Sequence, residues 1–167
     1  MIPQLKKISR EAIPRAVQKA ERYRLLNQSW ATESICLDIL EIDPGNQPVI
    51  IMLLLALTDQ FAAETYDLTR RAQALLGRIT DPYQRAYYEG IIHERLAHAQ
   101  LAHTALQAEA MAFESLRSAM EAFERAEKVR APGNDDAILR WNTCARTLER
   151  LRLVEQAEGQ YEPSFGE

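Results

Sequence analysis

A chain of 167 residues, 47% of them hydrophobic, has enough apolar mass for one domain with a buried core. Its net charge of -4 excludes nucleic acid as the main partner, because phosphate binding requires a basic footprint. No apolar run reaches the roughly 20 residues of a membrane span, and the start of the chain lacks a signal-peptide core, so we expect a soluble cytoplasmic protein with no membrane partner.

Ala, Leu, Glu, Arg and Gln dominate, only six Gly and seven Pro interrupt them, and no stretch alternates apolar and polar residues for long. The expected class is all-α. Near the start Lys6, Lys7, Arg10, Arg15 and Lys19 form a local basic cluster, which reads as a solvated face.

From Ile13 to Leu26 the residues Ile13, Ala16, Val17, Ala20, Tyr23 and Leu26 recur at spacings of three and four, and Pro14 suits the first turn of a helix. Asn27, Gln28 and Ser29 interrupt the pattern, with Ser29 as the expected N-cap of a second helix reaching Ile42. Asp43-Pro44-Gly45-Asn46 ends that helix. The next helix, around 48–57, is apolar on every face from Val49 to Leu57 and must be covered on most sides. We expect Ile50, Leu53, Leu54 and Leu57 to pack inside the array.

A further stripe runs through Leu68, Ala72, Leu75, Leu76 and Ile79, and Asp81-Pro82 then supplies an N-cap and a first-turn proline. Between Tyr83 and Ala131 the only punctuation is Gly90. We place the bend of this long pair between His103 and Ala112. Pro132-Gly133-Asn134-Asp135 precedes a last helix from Asp136 to about Ala157. The domain is expected to cover 1–158, with a flexible tail over 159–167.

The hairpins begin near residues 13, 47 and 83, at intervals of 34 and 36. Repetition at that period is the mark of helical hairpins that bury their apolar faces by stacking. The fragments Trp141-x-x-Cys144-Ala145-x-x-Leu148, Ala119-x-x-x-Phe123-x-x-Ala126 and Ala20-x-x-Tyr23, with the closing Leu40-Glu41-Ile42-Asp43-Pro44, resemble the tetratricopeptide repeat (TPR) family over roughly residues 13 to 150. Leu54 stands in a slot that is small in that family, and the third unit is longer by about 17 residues, 97–113.

The resemblance implies a right-handed stack of about three antiparallel hairpins plus a C-terminal capping helix. It also implies a concave face built from the first helix of each hairpin, presenting Val17, Glu21, Arg24, Ile51, Leu55, Thr58, Tyr87, Ile91 and Glu94. Such a face would bind an apolar peptide or helix, making the protein an adaptor, chaperone or assembly subunit. The basic clamp with which some relatives hold a peptide carboxylate has no counterpart there.

Catalytic signals are weak. His93, His98 and His103 step by five, which turns each about 140° from the last, so a zinc pair on one helix face is not formed. Neither Glu89 nor Glu94 has a histidine three residues on. Cys36 and Cys144 lie in helical patterns outside any ligand cluster and read as reduced core residues. The expectation is a non-enzymatic protein without metal or cofactor. Two alternatives stay open: a small helical-bundle enzyme or metal- or small-molecule-binding protein using His93, Glu94 and His98, and a self-assembling structural protein, such as a homodimer, using the 83–131 hairpin.

Overall fold

The computed structural model describes residues 3–62, 65–103 and 107–159, with the backbone alone for 152–159. The expected tail over 160–167 lies outside the described residues. Among them, a short 3-10 turn at Arg10–Ala12 precedes seven α-helices: α1 (Ile13–Leu25), α2 (Ser29–Ile42), α3 (Gln47–Thr58), α4 (Thr65–Leu76), α5 (Pro82–Leu101), α6 (Ala108–Lys128) and α7 (Asp136–Gly159). The all-α class is thereby established, and none of these helices is long and apolar enough to cross a membrane.

Each helix packs on its neighbours in sequence, and short links between packed helices oblige the chain to reverse direction at each turn. Pro14, Pro48 and Pro82, spaced by 34 residues, each fall in the first turn of α1, α3 and α5, where the missing N–H costs nothing. Asn46 caps α3 by accepting from Val49 N at 3.3 Å, and Asp81 caps α5 by accepting from Gln84 N at 2.7 Å. The bend expected between 103 and 112 falls between Leu101 and Ala108.

Two boundaries differ from the sequence reading. Ser29 is the first residue of α2 rather than its N-cap; Gln28 holds that position without a side-chain bond, and the Ser29 hydroxyl donates to Asp59 Oδ2 at 3.4 Å. The stripe through Ile79 outlasts its helix, since α4 ends at Leu76 and Ile79 continues as a turn, fully buried.

The link before α2 is closed from the α1 side. Asn27 takes a left-handed backbone, φ 58°, while Gln28 N donates to Tyr23 O at 2.9 Å and Asn27 N to Arg24 O at 3.0 Å. This double bond is a Schellman ending, so backbone groups alone close α1 and redirect the chain. Asn27→Ala should cost about 1 kcal/mol and Asn27→Gly almost nothing, measured by urea denaturation. Equal losses in both variants would show that the turn does not depend on its left-handed residue.

The apolar helix α3 touches α1, α2, α4 and α5. Ile50, Leu53, Leu54 and Leu57 are all buried in a cluster that joins α1 to α4 and reaches Ile92 and Ala99 of α5. A second cluster, around Leu116, Phe123, Ala126 and Cys144, joins α5, α6 and α7. Cys36 and Cys144 are both free and buried, and burial pushes each thiol up to about 12.

Candidate functional site

The nine residues assigned from the sequence to one face divide in the structure. Glu21 is exposed, and Val17, Arg24, Ile51, Leu55 and Tyr87 are half-buried, so these six reach a surface. Thr58, Ile91 and Glu94 are only 4, 2 and 3% exposed and offer no open contact. Ile91 is enclosed by the α5–α6–α7 cluster, Thr58 lies beneath Arg95, and Glu94 faces α7. The nine therefore do not share one open face in this structure, since Thr58, Ile91 and Glu94 are buried.

Four of the six come together in one cleft of about 350 Å³ between α1 and α3, where Glu21 and Arg24 form one wall and Ile51 and Leu55 the other. Leu25, Pro48 and Met52 complete the lining. The apolar run of α3 supplies the floor, because its residues point in every direction and one side is left uncovered by α1. Leu55 has a second role, since it also packs against the α5–α7 cluster.

Beyond Leu55 the cleft meets an ionic network at the ends of α1 and α3. Arg24 Nε donates to Asp59 Oδ2 at 2.9 Å, and Arg95 Nη1 donates to Asp59 Oδ1, to Thr58 Oγ1 at 2.6 Å and to Leu55 O at 3.3 Å. Burial lowers the Arg95 guanidinium, an effect that Asp59 opposes and that Arg24 and Arg140 reinforce. One carboxylate thus ties three consecutive odd-numbered helices, and its partners sit 35 residues before it and 36 after it.

Glu94 makes the corresponding link from α5 to α7, accepting from Arg140 Nη1 at 3.3 and 3.4 Å. Burial works to lower the Arg140 guanidinium, but the Glu94 charge together with Tyr87 and the hydrogen bond to Glu94 outweighs it, so the group stands raised. Tyr87 stacks on Tyr83 at 5.8 Å between ring centres and meets Tyr88 edge-on at 5.2 Å. Its ring is held in place by aromatic contacts.

The histidines are placed differently. His93 is half-buried and its pKa is lowered by burial, with Glu89 opposing, whereas His98 and His103 are exposed. Glu94, the third member of that candidate set, is engaged by Arg140. Among the described residues no three His, Cys, Asp or Glu side chains converge as metal ligands. A larger cleft of about 710 Å³ lies between α6 and α7, where the Trp141 indole donates to Glu124 at 3.0 Å, but it contains none of the nine residues.

Sequence reading passed over Leu25, Met52, Asp59, Arg95 and Arg140. The signal that would have found two of them is the spacing of Arg24, Asp59 and Arg95, which tracks the hairpin interval. No family model, curated protein or solved structure matches the chain.

Proposed function

We propose that this protein is a protein-interaction module of three stacked hairpins, α1–α2, α3–α4 and α5–α6, with α7 as a cap, arranged like tetratricopeptide repeats. The cleft between α1 and α3 takes an apolar segment of a partner protein. What carries this reading is the cleft itself, an aliphatic floor of Ile51, Met52 and Leu55 beside the charged Glu21 and Arg24. Apolar anchors in such a setting supply affinity, and flanking charges set the register of the bound segment. The 34-residue spacing of Pro14, Pro48 and Pro82 and the Arg24–Asp59–Arg95 ladder support the stacked arrangement.

A photoactivatable residue at Leu25, 82% exposed at the lip of the cleft, should give a discrete adduct with one protein in the native cell. The same probe at Leu37, exposed on α2, should not. Pro48→Glu places a charge in the wall at an exposed first-turn position, where an acidic residue suits the helix. It should reduce the adduct about tenfold or more with the melting temperature unchanged, since one lost aliphatic contact is worth about 1.5 kcal/mol. An adduct as strong in Pro48→Glu as in the wild type would sink the assignment.

A further inference from the structure

Against the sequence expectation of a solvated face and no membrane partner, we propose that the outward face of α1, with the α1–α2 turn, docks on an anionic lipid bilayer. At 100° per residue, Arg15, Gln18, Lys19, Arg22 and Leu26 fall within an arc of about 100° on the side of α1 opposite its buried Ile13 and Ala20. Together with Tyr23 they line a shallow concavity of about 510 Å³. No acidic side chain shares it, and Lys19 sits 5.8 Å from the centre of the Tyr23 ring. Among the described residues, no carboxylate forms an ion pair with Arg15, Lys19 or Arg22. On α2, Glu33 is engaged by Arg71 and Gln60, and Glu41 by Lys7.

The basic stripe ends in apolar side chains that stand out from the protein. Leu26 is 57% exposed and Trp30 is 68% exposed, one on each side of the Schellman turn whose backbone bonds hold it in shape. Cations leading to an exposed leucine, with an exposed tryptophan across the turn, match a bilayer interface. Headgroup phosphates accept from Arg and Lys, while the indole and the leucine enter the boundary of the acyl region. An exposed leucine and tryptophan near the cations favour a bilayer over a folded acidic protein, because a lipid interface takes both charge and apolar side chains without a matching pocket. Because the whole chain is negative, attraction confined to this face would also set the orientation of docking.

The face is distinct from the Leu25–Leu55 cleft, so the two can be tested separately. Sedimentation with vesicles of phosphatidylcholine containing about 30% phosphatidylserine should retain the wild type at least about tenfold more tightly than phosphatidylcholine alone. Lys19→Glu with Arg22→Glu should lower that partition about twentyfold or more, and raised salt should weaken it. Trp30→Ala should weaken it about tenfold with unchanged circular dichroism. In a Trp141→Phe background, where Trp30 is the remaining tryptophan, its emission should shift to the blue with the anionic vesicles. Pro48→Glu should bind vesicles as the wild type does, which separates this face from the cleft. Equal retention by both vesicle types, or full retention of the Lys19→Glu/Arg22→Glu variant, would overturn the proposal. Capture of an acidic protein through Lys19 and Arg22 without vesicle binding would also overturn it, assigning the face to a protein ligand.

Discussion

Gly90→Ala should lower the stability of the protein by about 2 kcal/mol, read as a fall in the denaturant midpoint at unchanged slope. A Cβ added at Gly90 would sit 2.4, 2.6 and 2.8 Å from three carbons of the Phe123 ring, inside any van der Waals contact. The ring cannot step aside. Phe123 is fully buried among Ala119 and Ala126 of its own helix, with Tyr87 at 5.8 Å between ring centres. On its own, glycine to alanine in a helix interior gains about 1 kcal/mol, so the overpacking must exceed that gain for the sign predicted here. The double variant decides the cause: with Phe123→Leu already in place, Gly90→Ala should turn neutral or stabilising. If it remains equally harmful there, the contact with Phe123 is not the reason for the glycine.

Arg140→Met should cost about 2 kcal/mol at neutral pH. Glu94 is 3% exposed, and removing its guanidinium partner leaves a carboxylate shut off from water with only the more distant Arg95 as counter-charge. Breaking a fully buried pair typically costs about 3–5 kcal/mol, and the lower figure here allows for the Arg140 side chain being 41% exposed. Because the surviving charge is the source of the loss, Glu94→Met combined with Arg140→Met should recover at least about half of it. A cycle of denaturation curves without coupling between the two positions would mean that the α5–α7 link contributes nothing. The same pair explains why Glu94 is unsuited to binding a partner: its charge is used inside the protein.

Local chemistry made most of the fold legible. α1, α3 and α5 begin, and α2 ends, at residues whose backbone preference can be read in isolation: Pro14, Pro48 and Pro82 in first turns, Asn46 and Asp81 as caps, and Asp43-Pro44 as a stop. The apolar run of α3 demanded cover on most sides, and the structure provides it through α1, α2, α4 and α5. The lengthened third pair was harder, because its punctuation is absent and Gly90, its one glycine, marks a close helix contact rather than a turn.

The candidate site was legible only in its aliphatic half. Ile51 and Leu55 follow from the excess of apolar residues on α3, which exceeds what one core can use. Tyr87, Ile91 and Glu94 could not be sorted into surface and interior from α5 alone, since its periodicity is the same whether α7 covers it or not.

What the sequence determined by itself is the all-α class, the starts of α1, α3, α5 and α7 to within a residue, and the burial of α3. These depend on interactions within a turn or two of chain, or on an apolar content that no packing could leave in water. Only the tertiary structure decided that Glu94 belongs to Arg140, that Asp59 gathers Arg24 and Arg95, and that Phe123 requires Gly90 to be bare. Those pairings join residues 33 to 46 positions apart, and their meeting depends on how far each helix slides and turns against the next, a property of packed side chains from several helices at once.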